Sequence, residues 1–351
     1  QKKKPEGLTW PLRFLRRGRP RGQIHLRFGE GVTVRELVEP EELEAGIDEQ
    51  RKQTLVATLA FEVAVRMNAA TPITATAIIT LILLAAGNRA QSLAEIQALA
   101  RAGAALIRRR HLEIVGRSNF QDADAVLATL ADLQATGIVT YLDEGTERLY
   151  TISPDQHLNA AYYRNTAIHY FILDAFVEIA LLDAGGDAND PVEAFFGRAA
   201  ELRELFKFEF YFPRRGDYRA EIEKRVSERF PGWDDIVRQD QAGVRDALDH
   251  AQLLVAHGVL RSFVDAYRIV ANVLADAGAD AIEDQGGFVS KCLKTGKQQL
   301  LQGRVFSAES ISRSLYQTGL QLADYQGLLA ANRAGEREAF HQEFRRITDR
   351  L

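Results

Sequence analysis

Two histidines in this chain stand five positions before a carboxylate, His169 before Asp174 and His25 before Glu30. A His base with a carboxylate orienting its ring can deprotonate a hydroxyl. Such a dyad needs an exposed turn. His169 and Asp174 instead fall within 168–182, an apolar run that reads as helix, where i and i+5 do not share a face. His25 and Glu30 read as a strand followed by a turn. Neither pair is assigned catalysis. His250 and His257, seven apart on one expected helix face, have no carboxylate or Cys at ligand spacing, so no metal is assigned. Phosphate-binding Gly loops and a Gly-x-Ser-x-Gly elbow are absent. The remaining candidate is Tyr162-Tyr163-Arg164-Asn165, just ahead of the helix that carries His169. A cation at the head of an apolar helix is exposed, paired or used.

The totals allow two or three structural units. The chain has 351 residues, 46% hydrophobic and 26% charged, enough for a real core. A formal net charge of -4 does not suit a bulk nucleic-acid binder. One cysteine, Cys292, excludes an internal disulfide and a thiolate metal cluster. The opening is basic without an apolar core, unlike a signal peptide. Because it starts at Gln1, the chain is expected to be a piece of a larger protein. The longest uncharged run, Met67 to Asn88, holds four Thr, Asn68 and Pro72. It reads as a buried core helix rather than a membrane span of about 20 apolar residues.

The elements that must position the candidates are mostly helices. Residues 1–23 interleave cations with Leu8, Trp10, Leu12, Phe14 and Leu15. They read as a linker or as a contact with an anionic lipid surface, made by Lys2, Lys3, Lys4, Trp10, Arg13, Arg16 and Arg17. Residues 23–28 alternate as a half-buried strand whose sheet lies elsewhere or upstream. A short helix and linker are expected in 32–49. From about Gln50, Leu55, Leu59, Val63 and Met67 make a core-facing stripe. Thr71-Pro72 predicts an N-cap and N1 pair, and Gly87 a C-terminal cap. Ser92 caps a helix over 93–109, and Asp122 or Asp124 opens another that stops at Gly137. Residues 138–142 and 148–152 predict a hairpin, and three helices plus a hairpin make a winged-helix-like unit. A second such unit is expected around 190–264, with a helix over 244–257 and a weak wing at 261–264. Within that stretch Asp190-Pro191 starts a helix through Leu205, and 206–213 after it reads as an aromatic strand. Gly286-Gly287 marks a loop, and the tail from Ser307 reads as two helices split near Ala334-Gly335.

The order of motifs resembles a known family. The basic segment is followed by Gly-x-Ile-His-Leu-Arg-Phe-Gly-Glu at 22–30. Then come Val65-Arg66-Met67-Asn68 with Thr71-Pro72, and the Tyr-Tyr-Arg-Asn…His run. This order is similar to the C-terminal half of bacterial, actinobacterial-like, membrane-associated glycerol-3-phosphate 1-O-acyltransferases, from about Lys4 onward. The resemblance implies an enzyme that transfers an acyl chain from acyl-CoA or acyl-carrier protein to the sn-1 hydroxyl of glycerol 3-phosphate, the first step of phospholipid synthesis. It implies no cofactor and a peripheral place on the cytoplasmic side of the cell membrane. The family's catalytic His-x-x-x-x-Asp and its phosphate-binding block lie in an α/β domain that would end near Phe28. Apart from the unassigned spacing at His169 and Asp174, neither block is in this sequence, so no catalytic residue is carried over and this chain alone is expected to be inactive.

Under the resemblance, residues 1–40 are the basic segment and last strand of the α/β domain. Residues 41–160 and 161–265 are the two helical units, and 266–351 the C-terminal helices. The expected class is mainly α. Tyr163, Arg164, Asn165 and His169 are expected to tie the helical region to the catalytic domain. Two other readings compete. One is a non-enzymatic interaction scaffold. The other is a winged-helix DNA-binding regulator, which the three Asp and absent Lys and Arg of 122–137 oppose.

Overall fold

The computed structural model describes residues 25–351 except 39, 41, 43–45, 118, 144, 185–188 and 252. The expected lipid contact at Lys2, Lys3, Lys4, Trp10, Arg13, Arg16 and Arg17 lies outside the described residues. Among the described residues the chain is mainly α, with fourteen helices and a few short strands.

The first helix, α1 (Glu49–Ala70), is capped by Asp48, which accepts from the Arg51 amide at 2.7 Å. It buries Leu55 alone among its residues. The expected core stripe holds for Leu55 and half-buried Leu59, but Val63 and Met67 are exposed. Residues 25–28 are not a strand, because no backbone ladder reaches them among the described residues. Within 32–49 the described backbone forms a 3-10 turn at Val34–Glu36.

Thr71 ends α1 instead of opening the next helix. The chain stays extended through β1 (Ile73–Thr74), which pairs in parallel with β3 (Ile114–Val115). Thr74 is therefore the N-cap of α2 (Ala75–Ala85), its hydroxyl accepting from the Ala77 amide at 3.1 Å. The cap energy of about 1 kcal/mol belongs to Thr74. α2 is buried almost throughout, each large apolar side chain contributing about 1.5–3 kcal/mol. Next come β2 (Gln91–Ser92) and α3 (Leu93–Arg109), which starts on a reciprocal Ser92–Glu95 capping box. α4 (Ala123–Ala135) ends at Gly137 in the left-handed region. The hairpin β4 (Thr140–Leu142) and β5 (Leu149–Thr151) forms as predicted, with Tyr141 opposite Tyr150. β2 joins it, in the order β2-β5-β4. The likeness of this first unit to a winged helix is carried no further than that order of elements.

The second half is a helical stack. It comprises α5 (His157–Arg164), α6 (Ile172–Ala184), α7 (Pro191–Phe206), α8 (Arg215–Arg229), the short α9 (Trp233–Ile236) and α10 (Gln241–Asp249). After them come α11 (Ala256–Ala275), α12 (Gln285–Leu301), α13 (Arg313–Tyr325) and α14 (Ala334–Arg350). The tail splits where the sequence predicts. Gly286-Gly287 instead lies in the first turn of α12, whose cap is Asp284. α11 is the axis, packed against α2, α6, α12, α13 and α14. A Cβ at Gly258 would stand 2.9 Å from Ala85 Cβ and 3.0 Å from the Leu81 carbonyl, so glycine lets α2 and α11 approach.

There is no second wing among the described residues. Residues 261–264 lie inside α11, and the helix expected over 244–257 breaks between α10 and α11. The cause is a carboxylate from another helix, described below, that takes the first amides of α11. Nor do residues 206–213 form a strand. The Glu209 and Phe210 amides both fold back on the Phe206 carbonyl at 3.0 and 3.2 Å, extending the end of α7 into turns. The aromatic rings still fill the core. Phe206 stacks on Tyr267, Phe210 meets Phe263 edge-on and Phe212 stacks on Phe176.

Candidate functional site

Arg164 is the last residue of α5 and is 3% exposed. A guanidinium so buried needs partners for its fork of donors. Its Nε and Nη2 both donate to Asn165 Oδ1, at 3.1 and 2.7 Å, and Nη2 also binds Glu309. Glu309 sits in a 3-10 turn, Ala308–Ser310, between α12 and α13. Arg164 and Asn165 therefore clip α5 to the far end of the chain. Tyr163 packs half-buried against the core, and Tyr162 points out. Beside the clip, Phe306 is stacked by His157 at 5.0 Å and met edge-on by His257 at 4.9 Å. Burial pushes both imidazoles down, His257 to about 4, so they stay neutral at pH 7.

His169 lies in a 3-10 turn, Ile168–Tyr170, just before α6 rather than inside it. Burial lowers its pKa and its Nε2 has no hydrogen-bond partner. Its ring packs on Tyr170 at 4.0 Å. The Tyr170 hydroxyl donates to the Thr71 carbonyl at 2.8 Å and lies 3.0 Å from the Ala69 carbonyl. This pair of aromatic residues thus pins the C-terminal end of α1 to the stack.

Asp174 is fully buried and belongs to a different constellation. Its two oxygens accept from Arg110 Nη2 and Nη1 at 2.6 and 2.8 Å, a bidentate fork that fixes the end of α3 on α6. Arg110 Nε reaches Glu228 at 3.2 Å. One turn on, Glu178 binds Arg229 at 2.6 Å and accepts the Val255 and Ala256 amides at 2.9 and 2.8 Å. A carboxylate placed on the first free amides of α11 satisfies donors that the helix cannot. That contact starts α11 afresh and breaks the continuous helix predicted there. Arg225, held by Glu221 at 2.7 Å, closes the network 3.9 Å from Asp174.

His169 and Asp174 are therefore not brought together: the ring lies on Tyr170 and both carboxylate oxygens are taken by Arg110. His25 and Glu30 are both exposed. His250 caps the end of α10 and His257 opens α11, so they do not share a helix face. Cys292 is buried and its thiol is pushed up to about 12, which makes it inert as a nucleophile. No metal-holding group of His, Cys, Asp and Glu occurs among the described residues. The arrangement holds helices in place. Sequence reasoning missed Arg110, Glu178 and Arg229. The signal was there in part: Asp174 and Glu178 are two acids one turn apart in an apolar helix, which demands cations from elsewhere.

Comparison with known proteins fits this region into a larger frame. Residues 1–332 match the family described as glycerol-3-phosphate acyltransferase C-terminal region. The chain is also 37% identical over 357 aligned positions to "Putative acyltransferase plsB1" of Mycobacterium bovis and of two Mycobacterium tuberculosis strains. The match covers 99% of this chain and 56% of each relative, so the chain spans about half the length of the curated relatives it matches. The chain belongs to the family of glycerol-3-phosphate acyltransferase C-terminal regions.

Proposed function

We propose that this chain is the C-terminal region of an enzyme that acylates the sn-1 hydroxyl of glycerol 3-phosphate with a chain from acyl-CoA or acyl-carrier protein. The family match across residues 1–332 carries this reading. The site supports it from the other side. Asp174 is locked by Arg110, so it does not orient the His169 ring to deprotonate a hydroxyl. The catalytic His and Asp then belong to the further length of polypeptide that the mycobacterial relatives have. The helical stack serves as its frame. That Tyr163, Arg164, Asn165 and His169 tie the stack to the catalytic domain is part of this proposal, with Arg164 held by Asn165 and Glu309. The division at 40, 160 and 265 remains part of this proposal. So does a peripheral contact of residues 1–23 with the anionic cytoplasmic face of the cell membrane. No helix among the described residues is long and apolar enough to cross a membrane.

The test is acyl transfer from palmitoyl-CoA to labelled glycerol 3-phosphate, measured on this chain and on the product of its complete reading frame. Activity in the complete product alone is the expected result. Activity in neither would leave a non-enzymatic interaction scaffold. Activity in this chain would contradict the reading of His169 and Asp174.

A further inference from the structure

α1 carries an apolar stripe that faces away from its own core. Val56, Ala60, Val63 and Met67 recur at i, i+4, i+7 and i+11, which places them within about 60° round the helix. All four are exposed, Val56 at 68% and Met67 at 66%. Single exposed apolar residues are ordinary, but a contiguous set marks an interface. The stripe has neighbours of the same kind. The chain from Arg27 to Glu36 runs against the second half of α1. A Cβ at Gly29 would stand 3.0 Å from the Arg66 carbonyl, and Arg66 binds the Gly31 carbonyl and, at 3.0 Å, Glu36. In that approach Leu26 and Phe28 are 77% and 89% exposed.

Two observations say what covers this face. The described chain at Gly29–Glu36 lies against Arg66 and Ala70 of α1, and Leu26 and Phe28 just before it are left exposed beside the stripe. The curated relatives continue well beyond the match, and the family is a C-terminal region, so their extra length precedes it. We infer that the Val56–Met67 stripe, with Leu26 and Phe28, is the docking face for the N-terminal acyltransferase domain of the same polypeptide. Tyr170 and His169, by pinning the end of α1, then set the angle at which that domain is held. This inference rests on the function proposed above.

Met67 is the single methionine of the chain, and methionine oxidation reports exposure. Oxidation of Met67 by dilute peroxide should be followed by mass spectrometry in this chain and in the complete polypeptide. The expected result is at least a ten-fold slower rate in the complete polypeptide, restored to the rate of the free chain by Val63→Asp. Val63 is exposed, and an unchanged melting temperature of the same variant in this chain confirms that its fold is kept. Equal rates in the two wild-type proteins would overturn the inference. So would protection of the free chain that appears only with phosphatidylglycerol vesicles, which assigns the face to a membrane. Protection that rises with the concentration of the free chain would assign it to a second copy. A complete polypeptide that is active but leaves Met67 unprotected sinks this inference alone. One that protects Met67 but transfers no acyl chain sinks the functional reading alone.

Discussion

α6 and α1 are both helices whose apolar residues stand out in the sequence, and they are used in opposite ways. α6 is thirteen residues long and nearly all of it is buried, two carboxylates included. α1 is 22 residues long and buries one side chain. Burying Asp174 and Glu178 costs several kcal/mol of desolvation per charge, which only close cations and amides offset. The stack supplies them from α3, α8 and the start of α11, so α6 is complete without any further partner. α1 has surface pairs such as Lys52–Glu49, each worth about 0–1 kcal/mol, and an apolar stripe left in water. The contrast separates a frame that needs nothing more from a surface that does.

The sharpest way to break the comparison is Asp174→Ala. It leaves the Arg110 guanidinium, 5% exposed, without its bidentate partner, and should cost about 3–5 kcal/mol in urea denaturation. A loss below about 1 kcal/mol would mean that water reaches this network and that α6 is not the sealed element described.

A smaller effect sharpens the same point by pH. Glu209, after α7, is a half-buried carboxylate that accepts from the Tyr267 hydroxyl at 3.0 Å rather than from a guanidinium. Burial pushes it up to about 7 from an ordinary 4.5. The folded state then holds this proton more tightly than the unfolded chain. Its contribution is fully present below about 4.5 and is lost as pH rises through 7. Glu209→Gln should therefore flatten the fall in melting temperature between pH 5 and 8. Parallel melting curves for the two proteins across that range would show that Glu209 is solvated.

Much of the fold was legible because it is written locally. The Ser92 cap, the Asp190-Pro191 start, Gly87, Gly137 and the hairpin depend on a few adjacent residues. The misreadings came from partners distant in sequence. Thr71 was displaced as a cap because β1 pairs with β3 some 41 positions on, keeping the chain extended to Thr74. The second wing vanished into α11 because Glu178, 77 residues before Val255, fixes where that helix begins. The candidate site was legible to the same degree. Arg164 and Asn165 stood out by type and place, but Glu309 lies 145 positions from Arg164. His169 and Asp174 suggested chemistry by spacing, and the packing gave each a different neighbour. For α1 the period was right and the conclusion was not, since a helical stripe shows which side is apolar but not what covers it.

The central claim is that α6 is sealed within this chain while α1 is held by its end and awaits a partner. Amide hydrogen exchange on this chain tests it most directly, since local stability follows local packing. The account predicts that amides of 56–67 exchange at least a hundred-fold faster than those of 174–181, with the end of α1 nearest Tyr170 the slowest part of that helix. Protection of 56–67 equal to that of 174–181 would contradict it.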